Sequence, residues 1–327
     1  MKRSALFLTF VILMSATLVS SQVPDTPDPY KTTLDRLQSL TIQGEAEWRF
    51  HTDVPHPEDP GLNDSDWGVF KVKNVSGPGG NNENEEHWKG TRVFRRWVQI
   101  PEKINGYSTQ GSQVRMDLRF GSPGGLMITV FSSGAIVYRG TDDDILPVLL
   151  TENAQPGQKF LIAARVVAGD EVQSEFFHSE MIVKPPHTRP DPVFLRIEIL
   201  AARPIIAAYP EGKTERQQTL DAAVKAIDFS PLDRGDQAGF DASLKASHAK
   251  LEGLKPWLQR FNIRIVGNSH IDMAWLWPWT ETVEVVRNTF QSVLDLMREY
   301  PDFKFTMSSA RTYEWMQIGR ASCRERV

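Results

Sequence analysis

Residues 113–121 read Gln-Val-Arg-Met-Asp-Leu-Arg-Phe-Gly, and the alternation in them constrains the fold more than any other stretch. Successive side chains of a strand point to opposite faces, so Val114, Met116, Leu118 and Phe120 share one side and Arg115, Asp117 and Arg119 the other. A strand with one apolar and one charged face belongs in an antiparallel sheet that is covered on one side. The same pattern recurs between residues 48 and 208, with further strand candidates at 126–131, 135–138, 160–167, 176–183 and 194–200. Pro123-Gly124-Gly125, Ser133-Gly134, Gln155-Pro156-Gly157 and Ala168-Gly169-Asp170 supply turns between them. Short strands separated by such turns predict an all-β sandwich or jelly-roll domain over residues 42–209. Residues 77–86, rich in Gly, Asn and Glu, are expected to form a surface loop.

The periodicity then changes. Leu220, Ala223, Val224 and Ile227 fall on one helical face, Pro231 interrupts it, and Phe240, Leu244, Leu251 and Leu254 resume it as far as Trp257. Residues 210–259 are therefore expected to be a helical connector. From residue 260 a third pattern begins. Phe261, Ile263, Ile265 and Val266 predict a buried strand over 261–266, and a loop carrying His270 and Asp272 follows. Pro278 opens a helix, with Thr280 as candidate cap and Glu281 and Glu284 complementing its positive end. Val286, Phe290, Val293, Leu294 and Met297 form its apolar face, Pro301 ends it, 303–307 predicts a second strand, and another helix starts over 310–316. Strand, helix and strand make one βαβ unit. A parallel sheet needs several strands and cover on both faces, so residues 260–316 are expected to be the truncated start of a larger α/β parallel-sheet, barrel-like catalytic domain.

A length of 327 residues suits about two domains, and a net charge of −4 offers no basic face for nucleic acid. Lys2 and Arg3, the apolar run 5–19 and Val19-Ser20-Ser21 predict an export signal over residues 1–21, with a retained anchor as the alternative. The protein is accordingly expected to be exported, periplasmic or extracellular, and free of the membrane once cleaved. Residues 22–41, Pro- and Asp-rich at 24–29, are expected to be a linker. A single cysteine, Cys323, rules out an internal disulfide, so stability must come from packed cores. Asn63 and Asn74 each begin an Asn-x-Ser pattern for glycosylation. Residues 317–327 lack apolar period and read as a non-native tail.

His270 and Asp272 are two residues apart, so extended backbone points both to one side. They follow a strand's carboxyl end, where α/β folds build their sites. Imidazole and carboxylate suit zinc or a similar divalent ion, but a third ligand is required. His51, His56, His87, His178, His187 and His248 all lie earlier, without ligand spacing. On these residues alone the pair reads either as half a metal site or as a hydrogen-bonded structural pair. Trp275 either offers an indole face to the C–H face of a pyranose or anchors the loop, and Trp277 and Trp279 read as core packing. No Gly-rich phosphate loop or nucleophile elbow is present.

Gly267-Asn268-Ser269-His270-Ile271-Asp272-Met273-Ala274-Trp275-Leu276-Trp277-Pro278, then Glu281-Thr282, Tyr300-Pro301-Asp302-Phe303 and Tyr313-Glu314-Trp315, resembles the start of the catalytic domain of glycoside hydrolase family 38, the α-mannosidases. The resemblance covers roughly residues 264–315, and the β region resembles, in outline, a jelly-roll domain that precedes the catalytic domain in some bacterial members. It implies a zinc-dependent, retaining exo-α-mannosidase acting on terminal α-linked mannose of glycans. His270 and Asp272 match the first two zinc ligands, and Trp275 matches the aromatic that stacks on the terminal sugar. The family's nucleophile, acid/base and remaining ligands come from later in its domain, so the resemblance names no catalytic residue here and implies that this chain alone is inactive. The rival readings are another metal-dependent (β/α) hydrolase, such as a deacetylase or amidohydrolase, and a non-enzymatic carbohydrate-binding protein working through the β region.

Overall fold

The computed structural model describes residues 28–44, 47–72, 87–122, 124–141, 144–170, 173–273 and 278–324. The expected export signal, the 77–86 loop, Asn74, Trp275 and Trp277 lie outside them. The chain divides into two compact units, Met1–Leu254 and Lys255–Val327.

In the first unit the alternating segments form strands β1 (Ile42–Gly44), β2 (Glu47–His51), β3 (Gly68–Lys71), β4 (Thr91–Gln99), a small hairpin β5 (Lys103–Ile104) and β6 (Tyr107–Ser108), β7 (Gln113–Gly121), β8 (Met127–Ser132), β9 (Ala135–Gly140), β10 (Leu146–Thr151), β11 (Lys159–Val167) and β12 (Glu175–Lys184). One antiparallel sheet runs β1-β12-β7-β10 and the other β3-β2-β4-β11-β8-β9. In the first, Met116 of β7 stands opposite Met181 and Val148, and Val114, Met116, Leu118 and Phe120 are all fully buried. The two sheets meet through aromatic rings. Phe176 stacks on Phe120 at 4.2 Å and reaches Phe94 and Trp48 of the facing sheet at 5.1 and 5.3 Å. Trp48 Nε1 also donates to Ser179 Oγ across the core at 2.9 Å. Offset and tilted ring pairs of this kind add to the stabilisation already gained from burial. The result is a β-sandwich.

Helices pack with this sandwich in the same unit. The stretch expected as a linker contains α1 (Lys31–Ser39), which buries Leu34 and Leu37. The Tyr30 hydroxyl beside it donates to Asp221, and Arg203 pairs with Asp28 at 2.8 Å. Residues 194–200, expected as a strand, lie instead in α2 (Pro192–Ala208). Two local signals override the apolar run. The Asp191 carboxylate accepts from Val193 and Phe194 N–H at 2.9 and 3.2 Å, and Pro192 occupies the first turn. Leu195, Ile199, Ala202 and Ile206 then fall on one buried helical stripe. The layer continues through α3 (Lys213–Lys225), α4 (Ser230–Asp233) and α5 (Gln237–Leu251), closing with a short 3-10 turn, Glu252–Leu254.

The second unit opens with α6 (Lys255–Leu258). Strands β13 (Gly267–Asn268) and β14 (Phe305–Thr306) pair in parallel, with α7 (Trp279–Glu299) between them, and α8 (Ala310–Arg324) follows. The βαβ connectivity matches expectation, but the first strand does not lie at 261–266. That segment is irregular, with Ile263 and Ile265 86% and 89% exposed, and the ladder falls on Gly267–Asn268. Apolar parallel strands stay extended when neighbours cover both faces, and a ladder of two residues provides no such cover. Thr280 is not the cap, because the helix starts at Trp279 with Pro278 in the cap position. On α7, Val286 and Val293 are buried and Phe290 meets Phe305 and Tyr313 at 6.2 and 5.1 Å, whereas Leu294 is exposed.

Candidate functional site

Gly267 N–H donates to Lys304 O at 2.7 Å, tying β13 to the chain beside β14. A Cβ at Gly267 would lie 3.0 Å from the Phe303 ring and 3.2 Å from Lys304 O, so this close approach suits glycine. The chain then leaves the strand through Ser269, and the two candidate ligands follow. His270 Nε2 lies 3.0 Å from Asp272 Oδ1, with the histidine side chain 82% and the aspartate 42% exposed. The expected juxtaposition of imidazole and carboxylate is present, on the solvent side of the loop.

The loop is held from the helix side. Thr282, fully buried in the first turns of α7, donates from Oγ1 to Met273 O at 2.7 Å. Asp272 O lies at 3.5 Å from the same hydroxyl. Thr282 belongs to the motif string quoted above, but nothing in its local spacing marks it as a loop anchor. Thr282→Val keeps the shape and removes the donor. It is expected to cost about 1–2 kcal/mol in urea unfolding and to speed amide exchange at residues 270–273, while Thr282→Ser retains both properties.

Glu284 is engaged by Arg287 Nη1 at 2.8 and 2.7 Å, and Glu281 stands exposed in the first turn of α7. Trp279, expected in the core, is exposed because it sits at the helix's open amino end. Four of the other histidines have carboxylate partners within the first unit: His56 with Glu58 at 3.3 Å, His87 with Glu175 at 3.1 Å, His178 with Glu180 at 3.5 Å and His248 with Glu198 at 2.9 Å. An apolar hollow of about 500 Å³ flanks β13 and is lined by Val285, Val293, Leu296, Phe303 and Phe305 among others, but not by His270 or Asp272.

An imidazole and a carboxylate are donors that zinc accepts, and His270 Nε2 and Asp272 Oδ1 stand within hydrogen-bond distance of each other at 3.0 Å. Among the described residues no group of three or more His, Cys, Asp or Glu side chains is positioned to hold a metal.

Residues 260–327 match the model of the glycosyl hydrolases family 38 N-terminal domain. The α-mannosidase of Saccharomyces cerevisiae is 36% identical over 77 residues, covering 24% of this chain and 7% of that protein. α-Mannosidase G of Dictyostelium discoideum is 39% identical over 62 residues, covering 19% and 6%. Human α-mannosidase 2C1 is 42% identical over 55 residues, covering 17% and 5%. The matched segment thus spans a small fraction of these relatives. Among solved structures, a glycosyl hydrolase family 2 member from Bacteroides cellulosilyticus aligns with a TM-score of 0.32 at 19% identity, covering 44% of this chain and 21% of that one. A β-glucuronidase from Bacteroides uniformis aligns at 0.33 and 15%, covering 44% and 18%.

Proposed function

We propose that this chain, whose residues 260–327 carry family 38 N-terminal domain sequence, is part of a zinc-dependent, retaining α-mannosidase that removes terminal α-linked mannose from glycans, and that the protein is exported. The observation that carries the reading is the placement of His270 and Asp272, 3.0 Å apart just beyond β13, inside the segment related to α-mannosidases. In this proposal His270 Nε2 and Asp272 Oδ1 hold the metal with ligands that the described residues do not supply. Bound zinc would act as a Lewis acid toward sugar hydroxyls.

The chain's own residues have defined duties in this scheme. Thr282 holds the carbonyl end of the loop, so that the His270–Asp272 spacing is set before a sugar arrives. Trp275, outside the described residues, offers an indole face to the mannose ring. Retention requires two carboxyl groups roughly 5 Å apart, one attacking and one donating a proton. Neither is assigned to a residue of this chain.

Two measurements test the proposal. The chain by itself is expected to leave p-nitrophenyl α-mannoside intact and to bind zinc weakly in isothermal titration. Tight stoichiometric zinc binding by the chain alone would contradict the incomplete ligand set. In a protein carrying a whole family 38 domain behind this chain, His270→Ala or Asp272→Ala is expected to reduce mannoside hydrolysis at least about a hundredfold and to lower zinc content. Retained hydrolysis with unchanged zinc would remove both residues from the site.

A further inference from the structure

Trp97 is unlike the other tryptophans described in the sandwich unit. Trp48, Trp67 and Trp88 are at most 8% exposed, whereas Trp97 is 48% exposed. It lies on β4 between Arg96 and Val98, and the core-forming Phe94 and Val98 of that strand point to the opposite face. Its position is therefore the outer face of the six-stranded sheet. Its cross-strand partner Leu161, beside it on the same face, is only 3% exposed. One step along the same face, Gln99 and Lys159 are direct cross-strand partners. Among the described residues neither of their side chains is engaged in a hydrogen bond or ion pair. Trp97, Gln99 and Lys159 together line a shallow hollow of about 550 Å³.

From this arrangement we infer that Trp97, Gln99 and Lys159 form a binding platform for a neutral pyranose of a glycan, separate from the His270–Asp272 site. An indole face packs against the C–H face of a sugar ring. The hydroxyls at the ring's edge can meet the Gln99 amide and the Lys159 ammonium. An apolar protein surface laid over Trp97 would instead strip water from both polar groups without replacing its hydrogen bonds, which is unfavourable.

The intact chain can be titrated with soluble α-mannan and α-mannotriose, with β-glucan and xylan in parallel, in the presence of EDTA. The choice of mannan rests on the proposed function. Binding is expected to survive EDTA and His270→Ala, to weaken at least tenfold in Trp97→Ala, and to weaken severalfold in Gln99→Ala and Lys159→Ala. Trp97→Phe is expected to bind at an intermediate level, and circular dichroism should show that all variants remain folded. Binding to β-glucan or xylan in place of mannan would support the platform and count against mannose as its sugar. The platform is overturned by any of three results: binding that Trp97→Ala leaves unchanged, no binding to any of the four probes, or concentration-dependent self-association that Trp97→Ala abolishes. None of these three results bears on the zinc and hydrolysis tests of the catalytic reading.

Discussion

Phe176→Ala is expected to destabilise the sandwich unit by about 4 kcal/mol, the largest single effect among the substitutions considered. The ring is fully buried and touches Trp48, Phe70, Phe94 and Phe120. Those partners come from both sheets, so truncation removes transfer free energy and opens a cavity where four rings converge. Rigid strands on both sides limit how far the site can collapse, which keeps the cost within the range of roughly 3–5 kcal/mol for such changes. Urea unfolding followed by tryptophan fluorescence measures it, with the midpoint falling at an unchanged slope. A loss below about 1 kcal/mol would mean that the sheets do not pack through this ring.

The second large effect belongs to the polar knot between the β5–β6 hairpin and α5. Arg189 Nε donates to Asp241 Oδ2 at 3.1 Å, Nη1 donates to Ser108 O at 3.1 Å, and the guanidinium lies 4.5 Å over the Tyr107 ring. Gln237 Nε2 donates to the other Asp241 oxygen at 2.7 Å, and Ser108 N–H donates to Gln237 Oε1 at 3.0 Å. Asp241 and Arg189 side chains are only 13% and 17% exposed. Removing one partner leaves the other charge largely desolvated, which typically costs 3–5 kcal/mol, roughly. Asp241→Ala is therefore expected to lower stability by about 3 kcal/mol, and Asp241→Asn by less because the amide still accepts one bond. Urea unfolding of both variants checks the order.

Tyr107 in the same knot gives a pH signature. Burial, the main cause, pushes its phenol well above the usual tyrosine value, and its hydroxyl donates to Pro190 O at 3.1 Å. A folded pKa above the unfolded one gives stability that is complete below the unfolded value of about 10 and declines as pH rises beyond it. Tyr107→Phe is expected to be less stable at neutral pH by roughly 1 kcal/mol, through loss of the hydrogen bond, and to show a shallower decline above pH about 10. A pH series of urea midpoints for the two proteins tests both.

Several of these features are legible in the sequence for a physical reason. Burial on a strand repeats every second residue, so Val114, Met116, Leu118 and Phe120 declare their core face locally, and the structure buries all four. The same reasoning locates the βαβ unit, because strand, helix and strand differ in period. It also expects His270 and Asp272 in one place, and the structure sets their side chains 3.0 Å apart. The failures have the opposite character. Residues 194–200 are apolar enough for either element, and the choice fell to the Asp191 cap and to burial along α2. Ile263 and Ile265 look like core, yet they are exposed because the ladder beside them is two residues long.

The sequence by itself determined which residues alternate, where the period changes, that no internal disulfide is available, and that a stretch resembling family 38 carries a histidine and an aspartate two residues apart. Tertiary structure decided which surfaces found partners. It tied the start of α1 to α2 and α3 through Asp28 and Tyr30, and α5 to the β5–β6 hairpin through Arg189 and Asp241. It assigned Thr282 to hold the candidate loop, and left Trp97 on the outer face. Periodicity is written in neighbouring residues, whereas the cover over an apolar face or the partner of a buried charge comes from residues distant in sequence. Only the folded chain brings those together.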